Sequence, residues 1–310
     1  MSEGGGTMLR YALKRVFLAL LTVFLVAAIT FFAMHCIPGG PFDTEKATDP
    51  ATRAALLSRF HLDKSVPEQF WRYLSGALRG DFGISLKTGR EVSQMVFGAF
   101  GVSARLGALS LLAALPLGMG LGCLAAVKRG RAGDHAMLAL TTLLMATPGF
   151  VVATLLLLVF CLRLGWFDVW SANGGGSVLP VVALALYPMA YIARLTRASM
   201  LEALSRDYVR AERARGLRES AVIFKHALKN AAPPVAACVG PMAAYALTGS
   251  MVVETVFTIG GLGSRFVESI GNRDYPVIMA ATILLAALIA LFSLLSDLAC
   301  RALDPRVELS

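Results

Sequence analysis

Apolar residues fall along this chain in long runs with no polar face. Six of them stand out: Val16–Ile37, Leu106–Val127, Ala136–Leu162, Val178–Ala193, Val235–Phe257 and Val277–Leu298. Each is near the roughly 20 residues that a helix needs to cross about 30 Å of hydrocarbon. A helix that is apolar all round must be wrapped in protein or lipid. The fourth run is the weakest, because Pro180 and Pro188 interrupt it, and it is predicted to be a kinked span continuing through Arg194–Leu201. The third carries Thr147-Pro148-Gly149 in mid-span, a predicted kink. Between the first two runs, residues 38–100 mix polar and apolar positions, open with Pro38-Gly39-Gly40-Pro41 and predict an amphipathic helix over Val66–Leu78. The pattern therefore divides the chain into a tail and first span (1–37), an external segment (38–100), a membrane domain (101–300) with a polar loop at 194–234, and a second tail (301–310). The expected fold class is an all-α integral membrane protein of six helices.

Composition agrees. The chain is 56% hydrophobic and 16% charged, with a mean hydropathy of +0.67, against about 25% charged residues in an ordinary soluble domain. Its net charge of +9 would suit nucleic acid if the basic residues formed one patch. Instead they sit at the ends of the runs. Arg10, Lys14 and Arg15 precede the first span; Lys128, Arg129 and Arg131 follow the second. Nine more lie in 194–234 (Arg194, Arg197, Arg206, Arg210, Arg213, Arg215, Arg218, Lys225 and Lys229), and Arg301 and Arg306 end the chain. The opposite connections hold none (164–177) or only Arg265 and Arg273 (258–276). By the positive-inside rule both termini are expected in the cytoplasm, and no nucleic-acid partner is expected. The first run is too long for a signal-peptide core and lacks a small-residue cleavage site, so it is expected to be retained. Five scattered cysteines (Cys36, Cys123, Cys161, Cys238, Cys300) give no disulfide or zinc spacing and are expected to be small buried apolar residues.

The chain lacks the sequence of an engine. No Gly-Lys pair occurs that could end a phosphate-cradling loop, and neither HExxH nor GxSxG is present. The span centres carry no carboxylate or histidine for a proton relay; Glu254 and Asp297 lie near span ends, where hydration is expected. No metal or cofactor is expected in this chain, and the energy source is expected to be a partner. Gly118 and Gly122 form a small-xxx-small face better suited to close helix packing than to lining a path.

Residues 202–234 are too polar to insert. Two helical halves, about 202–215 and 219–231, are predicted to join at Gly216-Leu217, with Gly216 left-handed at a helix end. Such a segment can rest on anionic headgroups or serve as a handle for another protein. Arg194 and Arg197 suit interfacial anchoring as well as they suit contact with such a partner.

This segment resembles the cytoplasmic signature loop of binding-protein-dependent ABC importer permeases of the type I fold. Tyr208-Val209-Arg210-Ala211-Glu212-Arg213-Ala214-Arg215-Gly216-Leu217 and His226-Ala227-Leu228-Lys229-Asn230-Ala231 are similar to the peptide branch of that family. Against the general signature Ala211, Gly216 and Leu228 agree, whereas the leading Glu, second Ala and final Pro do not. Further similar phrases are Ile37-Pro38-Gly39, Gly80-Asp81-Phe82-Gly83, Val102-Ser103-Ala104-Arg105-Leu106-Gly107, Ala193-Arg194-Leu195-Thr196-Arg197, Gly249-Ser250-Met251-Val252-Val253-Glu254-Thr255, Arg273-Asp274-Tyr275-Pro276 and Asp304-Pro305-Arg306. Gly260-Gly261-Leu262-Gly263 departs from the usual Pro-Gly-Leu-Gly, which would loosen that outer loop. The external segment looks most like the first membrane subunit of the oligopeptide/dipeptide permease family.

The resemblance implies a multi-pass protein of the bacterial inner membrane, which is not itself an enzyme. Its implied partners are a homologous second permease, two cytoplasmic ATPase subunits that carry ATP and Mg, and an extracytoplasmic peptide-binding protein. Tyr208, Arg210, Ala211, Glu212, Arg213, Arg215, Gly216, Leu217 and Leu228 would couple to the ATPases. Glu254, Gly261 and Gly263 would form an outer gate or meet the binding protein. Oligopeptides are the first expected substrate, with dipeptides, nickel or glutathione as alternatives within the family. Outside it stand a carrier or channel acting alone and a membrane-embedded peptidase.

Overall fold

The computed structural model describes residues 3–38, 58, 62–171 and 175–303. Among these the chain is helical, with one isolated bridge, Ile84 to Glu91. The helices are α1 (Glu3–Cys36), α2 (Val66–Ala77), α3 (Val92–Val127), α4 (Ala132–Ala146), α5 (Gly149–Leu156), α6 (Val178–Ser205), α7 (Asp207–Ala214), α8 (Leu228–Leu247), α9 (Met251–Val256), α10 (Leu262–Asn272) and α11 (Tyr275–Leu303). Among the described residues five helices are long and apolar enough to cross a membrane, and six spans result if the broken pair of α4 and α5, the latter continued by a π-helical turn over Leu157–Arg163, counts as one. Leu20, Leu25 and Ile29 on α1 and Leu112 and Leu124 on α3 are exposed, as expected of a multi-pass protein whose outer surface meets lipid tails.

Several predicted boundaries move. The Thr147-Pro148 kink is a full break: α5 leaves α4 at 101°. Proline cannot donate a helical hydrogen bond, and Thr147 turns its hydroxyl back to the Leu143 carbonyl (2.7 Å). The fourth span is more regular than its prolines suggest. Pro180 falls in the first turn of α6, where no helical donor is lost, and the helix continues past Pro188 to Ser205. The polar loop also divides differently. Residues 202–205 complete α6, while the second predicted half is not a separate short helix. It runs from Glu219–Ala221 through a π-helical turn, Val222–Ala227, directly into α8.

The chain forms two compact units. The first contains residues 1–102 and 260–291. Here Ala27, Phe31 and Met34 of α1 pack with Phe70 of α2 and with Ile278 and Met279 of α11. A second cluster joins Val92 and Val96 of α3 to Leu262, Val277, Ala280 and Ala281. Asp274 is buried at the turn before α11, where it accepts hydrogen bonds from the Ser85 hydroxyl (2.5 Å) and the Leu86 amide (3.0 Å). The predicted external helix is thus present as α2, whose Phe70 ring meets that of Phe24 edge-on and lies close to that of Phe31.

The second unit contains residues 103–259 and 292–310. Helix α3 packs on α6 through Gly118 and Gly122. A Cβ on Gly118 would lie 2.8 Å from the Met189 carbonyl oxygen, and one on Gly122 would overlap the Ala193 carbonyl. Gly107 meets the Ala246 carbonyl of α8 as closely. Small residues let helix backbones approach this far, and apolar lipid offers no competing gain. A further cluster (Cys123, Ala126, Met200, Ala203, Ile223, Ala227, Ala231) binds the ends of α3 and α6 to the start of α8. The cysteines are less uniform than expected: Cys123 is buried and Cys36 exposed.

These contacts separate two glycines of one helix. Gly107→Ala should cost about 1–3 kcal/mol through overpacking against backbone. Gly120→Ala, with nothing within 4 Å of its Cβ position, should leave stability unchanged or slightly raised. Thermal unfolding of the purified variants in detergent checks both.

Candidate functional site

The polar loop is built outward from α6. Asp134, in the first turn of α4, is buried. It accepts two hydrogen bonds from Arg197 of α6 (Nε to Oδ1 2.5 Å, Nη2 to Oδ2 2.8 Å) and one from the Gly130 amide (2.9 Å). The pair is bidentate, the geometry in which a guanidinium binds a carboxylate best. Arg197 therefore bonds within the chain, which neither anchoring nor partner contact anticipated, whereas Arg194 is exposed. Asp134, the one acidic residue close after Lys128, Arg129 and Arg131, was the available signal.

Beyond Ser205 the chain turns into α7, pinned by Val209, which is fully buried. Val209 was not among the predicted coupling residues, and those that were divide by position. Tyr208, Arg210, Ala211, Arg213, Arg215, Gly216 and Leu217 are exposed. Glu212 is half-buried and faces Arg215 (3.6 Å) and His226 (3.9 Å). Leu228 packs against the apolar cluster and so supports the loop from beneath. Gly216 has φ +78°, the left-handed conformation expected of it. Its amide donates to the Arg213 carbonyl (3.0 Å) and the Leu217 amide to the Glu212 carbonyl (3.4 Å), the paired bonds of a Schellman ending.

Arg213 then crosses the turn to Glu219 through two hydrogen bonds (3.1 and 2.6 Å). Those bonds hold the Glu219 carboxyl below its ordinary pKa and raise that of Arg213. Phe224, exposed on the π-helical turn, adds an aromatic ring to this surface. It follows Val222 and Ile223, which are buried, so the sequence alone did not set it apart from them. The result is a short helix of mixed charge, with Arg210 and Arg213 exposed against Asp207 and Glu212, ending in a hydrogen-bonded turn and held from below by Val209.

A second feature lies among α4, α5, α6, α8 and α9. A groove of about 760 Å³ is lined by Thr147 and Gly149 at the helix break, Tyr187, Pro188 and Tyr191 of α6, Cys238, Pro241 and Tyr245 of α8, and Ser250. Its described lining residues carry no charge. The sequence marked Thr147, Gly149 and Pro188 as kinks but assigned none of these residues to a shared groove.

The predicted outer-gate residues fall in both units. Glu254, in the second, is 1% exposed, not hydrated as expected for a span end. The Ser103 hydroxyl donates to its Oε1 (2.6 Å). Gly249, with φ +90°, leaves room for the carboxylate where a side chain would collide with it. Contact with an external protein through Glu254 would require this packing to open. Thr258 nearby has φ +56°, an uncommon conformation for a β-branched residue. In the first unit, Gly261 caps α10 and Gly263 lies in its first turn, both buried. The Gly261 carbonyl accepts from the Arg265 amide and the Ser264 hydroxyl, each at 3.0 Å, so that turn is tied down where looseness was expected.

Comparison with known proteins covers almost the whole chain. Residues 118–309 match the family described as binding-protein-dependent transport system inner membrane component. Residues 8–105 match the N-terminal family of the same transport-system membrane components. The chain is 41% identical over 305 residues to the dipeptide transport system permease protein DppB of Bacillus subtilis, covering 97% of this chain and 99% of that one. It is 39% identical to the oligopeptide transport system permease protein OppB of Salmonella typhimurium, covering 97% and 100%. Among solved structures, the inward-facing MetNI methionine ABC transporter has a chain that superposes with a TM-score of 0.57. That match has 19% identity and covers 68% of this chain and 96% of that one, a likeness of fold.

The Asp134–Arg197 pair yields a prediction in which two lesions do less harm than one. Asp134→Ala should lower the melting temperature by several degrees, because it leaves the guanidinium without its partner. The double variant D134A/R197A should recover part of that loss, since neither charge then stays unpaired. Melting curves of the single and double variants in detergent check this.

Proposed function

This chain belongs to the binding-protein-dependent transport system inner membrane components, and we propose that it is the permease subunit of an ATP-driven peptide importer. The observation that carries this reading is similarity over nearly the whole length to permeases named for oligopeptide and dipeptide transport. An extracytoplasmic binding protein delivers peptide to the outer face of the bacterial inner membrane. This chain and a homologous second permease enclose the path, and both termini of this chain lie in the cytoplasm.

Two ATPase subunits, which bind the ATP and Mg, grip the surface formed by α7 and the turn at Gly216. Several features support that assignment. Tyr208, Arg210 and Arg213 project from a helix whose underside is buried by Val209. The Schellman turn and the Arg213–Glu219 bonds fix the helix relative to the start of α8. Force applied to α7 therefore passes into α6 on one side and α8 on the other. A carrier acting alone would need its own coupling groups, and none of the described residues lining the groove is charged.

Oligopeptides are the first substrate class. A dipeptide substrate is the second reading, favoured by 41% identity to a dipeptide permease against 39% to an oligopeptide one. Reconstitution with the partner subunits should give ATP-dependent uptake of peptides from two to five residues. Uptake confined to dipeptides would move the assignment to the second reading, while uptake of only nickel or glutathione would reject both. In the same assembly Gly216→Val should leave membrane insertion intact but uncouple ATP hydrolysis from uptake. A β-branched residue there costs roughly 1–2 kcal/mol in the left-handed region. Normal coupled transport by the variant would count against the handle.

A further inference from the structure

The turn between α3 and α4 carries Lys128, Arg129 and Arg131, all exposed. Basic residues at the end of a span are ordinary; the surroundings of these three are not. The nearest acidic residue along the chain is Asp134, which is buried and takes both hydrogen bonds of the Arg197 guanidinium. Among the described residues no other carboxylate lies within ion-pair distance of the turn. Arg194 is a further exposed cation with no described carboxylate partner. It precedes Arg197 by three residues, so it shares that face of α6 about one helical turn deeper in the membrane.

The turn is also stiff. The Lys128 amide donates to the Leu124 carbonyl (3.0 Å), that of Arg129 to Ala126 (3.3 Å) and that of Arg131 to Lys128 (3.0 Å). Gly130 has φ +73°, and its amide donates to Asp134 (2.9 Å). The stem of Lys128 lies back over the first turn of α4, its Cδ 3.9 Å from where a Cβ on Gly133 would stand. Like charges held on so fixed a backbone repel one another until an anion joins them. An apolar strip runs from the turn into the membrane. Leu117, Leu124 and Val127 are exposed on α3, at spacings that keep them on one face. Leu117 to Val127 spans about 15 Å, the depth of one leaflet of a roughly 30 Å core. Leu140 and Leu143 of α4 are exposed as well.

We propose that this turn binds one anionic phospholipid, its phosphate held by Lys128, Arg129, Arg131 and Arg194 and its acyl chains lying along Leu117, Leu124 and Val127. Charge complementarity selects the occupant. Cations without a carboxylate call for a phosphate, to whose oxygens Arg donates in bidentate fashion and Lys as a point charge. Exposed leucines directly beneath them call for hydrocarbon, and a phospholipid brings both on one molecule. Inorganic phosphate would leave the strip bare, and a water-soluble protein would cover the cations but not a strip one leaflet deep. The bound lipid braces from outside the same turn that Asp134 and Arg197 brace from within. The proposal needs only the multi-pass membrane fold; neither the substrate nor the direction of transport enters it.

The test is native mass spectrometry of the complete transporter in mild detergent, offered phosphatidylglycerol and phosphatidylcholine with the same acyl chains. The tightest phosphatidylglycerol adduct should form at least about tenfold more readily than its phosphatidylcholine counterpart. The triple variant K128Q/R129Q/R131Q should lose that preference, and R194Q should weaken it by roughly threefold or more. The control R218Q/K225Q/K229Q removes the same charge from the neighbouring polar loop and should keep it. Equal binding of the two lipids by the wild type would overturn the proposal, as would a loss in the control as large as that in the triple variant. A photoreactive residue in place of Leu124 tests the occupant in native membranes. Adducts with phospholipid are expected there, and a dominant adduct with another protein subunit would overturn the lipid assignment.

Discussion

The bidentate pair between Asp134 and Arg197 is the interaction on which the second unit turns. It joins the start of α4 to the last third of α6, and α6 meets nearly every other working part. On one face α6 receives Gly118 and Gly122 of α3. Near its middle it presents Tyr187 and Tyr191 to the groove. At its end it gives way to α7 within two residues. These contacts fix α6 against α3 and α4 at the Gly118, Gly122 and Asp134 positions. A charged pair in such a place stabilises less than an apolar contact might, but it fixes one arrangement.

The membrane explains where irregularity is allowed. Hydrocarbon offers no partner to a stray N–H or carbonyl, so breaks in the helices must open onto protein or a cavity. Pro148 ends α4, Pro188 and Pro241 interrupt their ladders, and all three positions border or lie beside one groove. Glu254 shows the same economy applied to charge. It is buried, but it bonds Ser103 and occupies space that only a glycine at position 249 leaves open. The carboxylate is thus kept from hydrocarbon by a hydroxyl donor and a close glycine.

Much of this was legible in the residues. Unbroken apolar runs mark spans because few other folds tolerate them, and α2 and the left-handed Gly216 followed from local pattern. The loop surface at Tyr208–Leu217 was also accessible, since charge there has nowhere to insert. Other features depended on pairing between distant positions. A run such as Ala136–Leu162 is apolar whether its helix is straight or bent by 101°, because the break depends on what receives the freed backbone. Leu228 matches a signature residue, yet it packs beneath the loop. Nothing near Arg197 in sequence identifies Asp134 as its partner, and nothing near Glu254 shows that Ser103 and Gly249 enclose it.

The account stands on α7 and its turn being the point where an external ATPase drives this chain. Site-directed crosslinking measures that directly: a photoreactive residue in place of Arg210, which projects from α7 into solvent, in membranes containing the whole transporter. The account predicts one dominant adduct with an ATPase subunit, whose yield changes when ATP is bound and hydrolysed. Adducts only with lipid, or a yield indifferent to nucleotide, would contradict it.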